Sequence, residues 1–176
     1  MRTILILTII HLLGGQAIPP QTNRLFTISK NTNGNYVCFD ARRNCDANNP
    51  HGLICCYWHQ AGSGATKPLN VLERLAYGYT ITPDTSGCYR ISFHRFPRQV
   101  IWLVNWNGSY RAMTSVAEHM IWLDDIHLVF QNCSVNRPVT RIELRGRDTG
   151  DGGEAVLTID PARERPEHPP ACRTAN

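Results

Sequence analysis

The sequence predicts an α+β fold in which one short helix packs on a twisted antiparallel β-sheet and disulfides stabilise the whole. Three observations support this. One helical pattern lies near the middle of the 176-residue chain, alternating strand patterns follow it, and six cysteines fall between Cys38 and Cys133. A single helix followed by a run of strands is typical of the α+β class.

The helix is predicted over residues 69–79, which read "LNVLERLAYGY". Leu69, Leu72 and Leu75 recur at helical spacing, and Gly78 is expected to end the helix. Because the helix has only about two to three turns, packing of its leucines on the sheet must supply much of its stability.

Strand patterns dominate the rest of the chain. In "CYRISFHRF" (88–96), Tyr89, Ile91 and Phe93 share one face of the predicted strand. Asn107-Gly108 is a strong hairpin turn signal. Further strands are predicted in "NYVCFD" (35–40), "LICCYWHQ" (53–60), "QVIWLVNW" (99–106), "GSYRAMTSV" (108–116), "HMIWLDD" with "IHLVFQNC" (119–133), "RPVTRIELRGR" (137–147) and "EAVLTID" (154–160).

The two ends of the chain differ in composition from its middle. Residues 1–17 have a positive start, a short apolar run and small residues before a cleavage site after Ala17, which predicts a secretory signal peptide. Residues 18–34 are expected to form an extended lead-in, and 35–160 a single domain. The Pro-rich, charged segment 161–176 is expected to be disordered. These features predict a secreted, extracellular protein that does not span a membrane.

Cysteine usage in a secreted chain indicates disulfides. The predicted disulfide framework uses six cysteines, and their spacing does not reveal which pairs form. Cys172 in the tail is a seventh cysteine, so three disulfides would leave one thiol unpaired. The six are Cys38, Cys45, Cys55, Cys56, Cys88 and Cys133.

Two tripeptides match the N-glycosylation signal, at Asn107 and at Asn132. They predict a glycoprotein. No metal site and no cofactor are predicted, since adjacent Cys55 and Cys56 do not have zinc-ligand spacing and no phosphate-binding glycine loop is present.

Residues 87–110 combine arginines with aromatic residues, which is one pattern of RNA-binding surfaces. The candidate RNA- or partner-binding residues are Tyr89, Arg90, Arg95, Arg98 and Trp102. Strand alternation favours the simpler interpretation, in which the apolar side chains form a core and the arginines solvate the outer face.

Two histidines, His94 and His127, are weak catalytic candidates. Histidine titrates near neutral pH, so a pair within reach of each other could act as acid and base. The sequence does not establish that they meet, and the alternative is two surface histidines.

The order of several short motifs resembles the small secreted guanyl-preferring ribonucleases of fungi and the ribonuclease-like secreted effectors of plant-pathogenic fungi. Tyr36-Val37-Cys38 is similar to an early Tyr-x-Cys, and "VLERLAYGY" (71–79) to the helix of that family. Tyr89, "RFP" (95–97) and "DDIHLVF" (124–130) resemble later segments in the same order.

The departures from that family affect its catalytic positions. Arg90-Ile91 replaces a Pro-His, Arg95 stands where the family has a glutamate base, and His127 stands where it has a phosphate-binding arginine. An arginine cannot accept a proton, so the resemblance implies a protein without the family's catalysis.

The favoured functional prediction is therefore a secreted ribonuclease-like effector or interaction protein that acts in virulence by binding a host protein or RNA, but not DNA. One alternative is an active secreted endoribonuclease. A second is an extracellular β-sandwich module that binds a receptor or a glycan. The sequence leaves open whether the protein is an enzyme but favours a ribonuclease-like pseudoenzyme over an active endoribonuclease. It leaves the partner and the oligomeric state undetermined.

Overall fold

The computed structural model describes residues 23–42, 50–133 and 138–161. In these ranges the chain forms eleven strands and one α-helix, besides short 3₁₀ turns at Pro50–Leu53 and Gln131–Cys133. In chain order the elements are β1 Asn23–Lys30, β2 Asn33–Ala41, β3 Ile54–His59, β4 Thr66–Pro68, α1 Val71–Ala76, β5 Tyr79–Pro83, β6 Tyr89–Phe93, β7 Phe96–Trp106, β8 Ser109–Val116, β9 His119–Phe130, β10 Val139–Asp148 and β11 Glu154–Ile159.

All eleven strands belong to one sheet that curls into a half-barrel. Its main path runs β4-β3-β2-β1-β9-β8-β7-β6-β5, and β10 and β11 extend it from β9. Neighbouring strands are antiparallel except β1 and β9, which pair in parallel through residues 27–30 and 125–128.

Strand β9 is the junction of the sheet. Its first half, through Trp122, pairs with β8, and its second half, from Asp125, pairs with β1. Strand β10 pairs with the other edge of β9 between Ile121 and Phe130. β9 is twelve residues long and therefore pairs with three strands.

The main hydrophobic core lies on the inner, concave face of the sheet. Alternate residues of the strands supply it, as a period of two requires. Phe26 and Phe39 stack there at 4.7 Å between ring centroids, and Phe93 meets both rings edge to face. Because the curled sheet covers its own inner face, the core forms without a helix layer.

The predicted α+β class is wrong. Helix α1 has six residues, and Leu72 and Leu75 are 76% and 61% exposed. It begins at a capping box between Asn70 and Glu73. The residues on either side of the helix are the ones that pack in the protein. Leu69, before the helix, is buried, and the Tyr77 ring, after it, contacts the Trp58 ring edge to face at 5.6 Å.

Most of the strand predictions after the helix are confirmed. Tyr89, Ile91 and Phe93 face the inner side while Arg90 is exposed. Asn107-Gly108 forms the two-residue turn between β7 and β8, with φ values of 51° and 78°, which are left-handed at both positions as a type I′ turn needs.

Segment 23–30, predicted to be part of an extended lead-in, is β1 and contributes Phe26 and Ile28 to the core. The predicted signal peptide and nearly all of the predicted tail lie outside the described residues. None of the helices that the structure describes is long and apolar enough to cross a membrane.

Candidate functional site: an apolar cavity inside the curled sheet

A cavity of about 420 Å³ opens on the inner face of the half-barrel. Strands β1, β6, β7, β9 and β10 supply most of its wall, and Ala76 at the end of α1 and Tyr77 directly after it supply part of its rim. Its floor is formed by buried aliphatic side chains, among them Ile101 and Leu144, both 0% exposed. Closed sheets and the spaces between packed sheets commonly hold ligands in cavities of this size, about 300–1,000 Å³.

Strand alternation places the aliphatic residues in the wall. In β9, Ile126, Leu128 and Phe130 point into the cavity, whereas His127 points to the outer face. Ile142 in β10 lies directly opposite Leu128, so their side chains lie on the same face and extend the apolar wall across two strands.

The rim of the cavity is more exposed than its floor. Ala76 at the end of α1 and Arg95 in the turn between β6 and β7 are exposed, and Lys30 at the end of β1 is half-buried. The walls are therefore apolar in depth and basic at the opening.

The Lys30 ammonium group is partly buried and therefore partly dehydrated. Its Nζ lies 4.8 Å from the centroid of the Trp58 ring, a cation–π contact. Burial lowers the pKa of Lys30, and the nearby Glu73 carboxylate opposes that effect. That carboxylate also accepts a hydrogen bond from the Asn70 backbone N–H at 2.7 Å, in the capping box of α1.

Gln99, an uncharged polar side chain in the wall, is fixed in place by hydrogen bonds. Its Nε2 donates to the Thr114 hydroxyl at 2.6 Å and to the Ser115 carbonyl at 3.0 Å. Thr114 in turn donates to the Val100 carbonyl at 2.8 Å. This buried network holds the β7–β8 side of the wall rigid.

The five predicted RNA- or partner-binding residues do not form one surface. Arg95 reaches the cavity rim, and Tyr89 packs on the inner side with its ring 5.9 Å from that of Tyr110. Arg90 and Trp102 lie opposite each other on the outer face. Trp102 is only 2% exposed, within a small cluster that includes Val100 and Met113, so it offers no stacking face to a base. Arg98 is exposed in β7.

The two candidate histidines lie in different surroundings. His94 is exposed in the β6–β7 turn, where its backbone N–H donates to the Gly78 carbonyl. His127 faces outward, with its Nδ1 2.8 Å from the Ser29 hydroxyl. Ser29 donates to Asp125 at 2.7 Å, so this group joins β1 to β9 on the outer face.

The cysteines do not form the predicted framework. Cys38, Cys55, Cys56 and Cys133 are free thiols, while Cys88 is disulfide-bonded. Alternation explains part of this: in the β2–β3 pair, Cys55 lies opposite Asp40 and Cys56 opposite Phe39, so the adjacent cysteines point to opposite faces. Cys45 and Cys172 lie outside the described residues.

Both predicted glycosylation residues are exposed. Asn107 occupies the β7–β8 turn. Asn132 lies in the turn after β9 with φ of 53°, and its tripeptide ends at Ser134, outside the described residues.

The sequence predictions include neither the cavity nor the position of Lys30 in its lining. The available signal was the alternation in "LFTISK" (25–30), where Phe26 and Ile28 point inward and Thr27 and Ser29 outward. Read as an extended lead-in, this segment has no inward face, whereas as β1 it supplies part of the cavity wall.

Residues 26–157 match the family described as Domain of unknown function (DUF4833). The chain belongs to the DUF4833 family. The matched region begins in β1 and ends in β11, so it includes every strand of the cavity wall. Comparisons with curated proteins and with solved structures gave no match.

Proposed function

We propose that this DUF4833 protein is a binding protein that takes a small apolar molecule into the cavity of the half-barrel. The observation that carries the proposal is the cavity itself: about 420 Å³ of space in the interior of the sheet, with aliphatic walls. Its volume falls within the range of ligand-binding pockets in proteins, about 300–1,000 Å³, and such pockets are lined mostly by apolar side chains.

The distribution of polarity supports the same conclusion. The buried floor and walls are apolar except for Gln99, and the charged side chains lie near the opening. Ligand sites in proteins combine apolar walls with a few polar groups that orient the ligand. Burial of the ligand's apolar surface would contribute about 25 cal/mol per Å² removed from water.

The ribonuclease-like effector remains a prediction of the sequence alone, as do the active endoribonuclease and the receptor- or glycan-binding module. The first two relied on a helix packed on the sheet, and that support is lost because Leu72 and Leu75 are in solvent. Secretion, glycosylation and a host partner also remain predictions.

The proposal is tested with N-phenyl-1-naphthylamine, a neutral probe whose fluorescence rises in apolar sites. We expect saturable binding at one site per chain. Ala76→Phe should weaken this binding about tenfold or more, because Ala76 lines the rim and a larger side chain there occupies the opening.

Leu72→Phe is the matched control. It lies on the same helix, but its side chain is exposed and does not line the cavity. We expect it to bind the probe as the unaltered protein does. Absence of saturable binding, or equal weakening by both substitutions, would contradict the proposal.

A further inference from the structure

The charges at the cavity are all of one sign. Lys30 and Arg95 are the charged side chains that line it, and no acidic residue of the described ranges does so. Every other lining side chain except Gln99 is apolar or aromatic.

Neither cation forms an ion pair with a described residue, although the Glu73 carboxylate, which does not line the cavity, favours the charged form of Lys30. The three ion pairs within those ranges join Arg24 to Asp40, and Arg141 and Arg145 to Glu143. Lys30 instead lies over the Trp58 ring, where it has lost part of its hydration. A cation in this position gains more from an anion than a fully hydrated one does.

The two cations also come from separate parts of the chain. Lys30 ends β1, whereas Arg95 lies in the β6–β7 turn, and the curl of the sheet brings both to one cavity. Their chemistry is complementary to a carboxylate: an arginine offers a planar fork of donors and a lysine a compact charge.

We propose that the ligand of this cavity is an amphiphilic carboxylate, whose carboxylate lies at Lys30 and Arg95 and whose hydrocarbon part lies against Ile101, Ile126 and Leu144. This inference rests on the proposed function, since it specifies the class of ligand that the same cavity binds. The cationic opening orients the molecule, and the aliphatic floor supplies the apolar contact.

The test compares dodecanoate with 1-dodecanol as competitors for the bound neutral probe, both below the concentrations at which they self-associate. The two share the hydrocarbon chain and differ in the charged group. We expect dodecanoate to bind about tenfold more tightly or better, because hydrogen bonds to charged groups are the stronger ones.

The double variant Lys30→Met with Arg95→Met should remove that preference while it keeps binding of 1-dodecanol and of the probe. Lys30→Arg alone should retain the preference, because it keeps the charge. Arg98→Met is the matched control: Arg98 is an exposed arginine three positions from Arg95 that does not line the cavity, and its loss should leave the preference intact.

The outcomes separate the two proposals. If the probe and 1-dodecanol bind but dodecanoate has no advantage, the carboxylate inference is overturned and the proposed function stands. The inference is also overturned if the Arg98 control loses the preference as the double variant does. If neither the probe nor either competitor binds, both proposals are overturned.

Discussion

Asp40 is a buried carboxylate that joins three strands. Its side chain is 2% exposed, and it accepts hydrogen bonds from Arg24 Nε and, at 2.6 Å, from the Tyr57 hydroxyl. Arg24 lies in β1 and Tyr57 in β3, on either side of Asp40 in β2. Both donors therefore make hydrogen bonds to a carboxylate, and these bonds tie β1 and β3 to the strand between them.

Asp40→Asn should therefore lower the free energy of unfolding by about 1.5–3 kcal/mol, the range for hydrogen bonds to a charged group. Asp124→Asn is the control, because Asp124 is exposed in β9, and it should change stability by less than about 0.5 kcal/mol. Urea unfolding measures both. Equal stability of the two variants would contradict the role given to Asp40.

Cys56 should make the free energy of unfolding depend on pH in alkaline solution. Burial is the main cause that raises the pKa of its thiol from an ordinary 9.0 to about 12. The fold therefore favours the protonated thiol. The contribution of this thiol to the free energy of unfolding is complete below pH 9. It falls as the pH rises above 9, because the unfolded chain then releases a proton that the folded chain retains.

Cys56→Ala removes this dependence. The stability advantage of the unaltered protein over Cys56→Ala should shrink above pH 9 by up to about 1.4 kcal/mol per pH unit. Urea unfolding of both proteins under nitrogen from pH 7 to 10.5 measures it. A difference that stays constant over that range would show that the thiol is not held protonated.

At the scale of elements, the sequence predicted strands well and the helix poorly, for one physical reason. Strand alternation in "CYRISFHRF" reports directly on two faces, and Ile91 and Phe93 are buried as it implies. The leucine spacing in 69–79 reports only that a helix would have an apolar side. Whether that side is buried depends on a partner surface on the sheet. Here the curled sheet buries its own inner face, so the apolar side of α1 stays exposed.

Substitutions in and beside α1 should reflect that difference. Leu72→Ser and Leu75→Ser should change the free energy of unfolding by less than about 0.5 kcal/mol, because both side chains are in solvent. Leu69→Ala should cost about 2–5 kcal/mol, because Leu69 is 6% exposed and packs in the core. A large loss of stability in Leu72→Ser or Leu75→Ser would contradict the exposed helix and support a helix packed on the sheet.

The β9–β10 pairing depends on a glycine. A Cβ on Gly146 would lie 1.9 Å from the Trp122 carbonyl oxygen, at a register shift between the two strands. Gly146→Ala should cost about 1–3 kcal/mol, as expected when an atom is forced into packed space. Gly62→Ala is the control, since nothing lies within 4 Å of its Cβ, and it should be near neutral in thermal unfolding. A neutral Gly146→Ala would contradict this register.

At the scale of the whole molecule, the cavity results from a pairing that local patterns do not contain. Ile28 in β1 and Ile126 in β9 are register partners in the parallel pair, and 98 positions separate them in sequence. Alternation predicts which side chains of each strand point inward, but not which strands meet. The inward face of each strand can be read from its alternation, whereas the cavity and the presence of both Lys30 and Arg95 in its lining cannot.

The measurement that tests the central claim most directly is an NMR titration of the methyl-labelled protein with dodecanoate. We predict saturable shifts of the Ile101, Ile126 and Ile142 methyl groups, which line the cavity, and small changes at Val100 and Met113 on the outer face. Shifts centred on the outer face, or no shifts at all, would contradict the account of a ligand held inside the curled sheet.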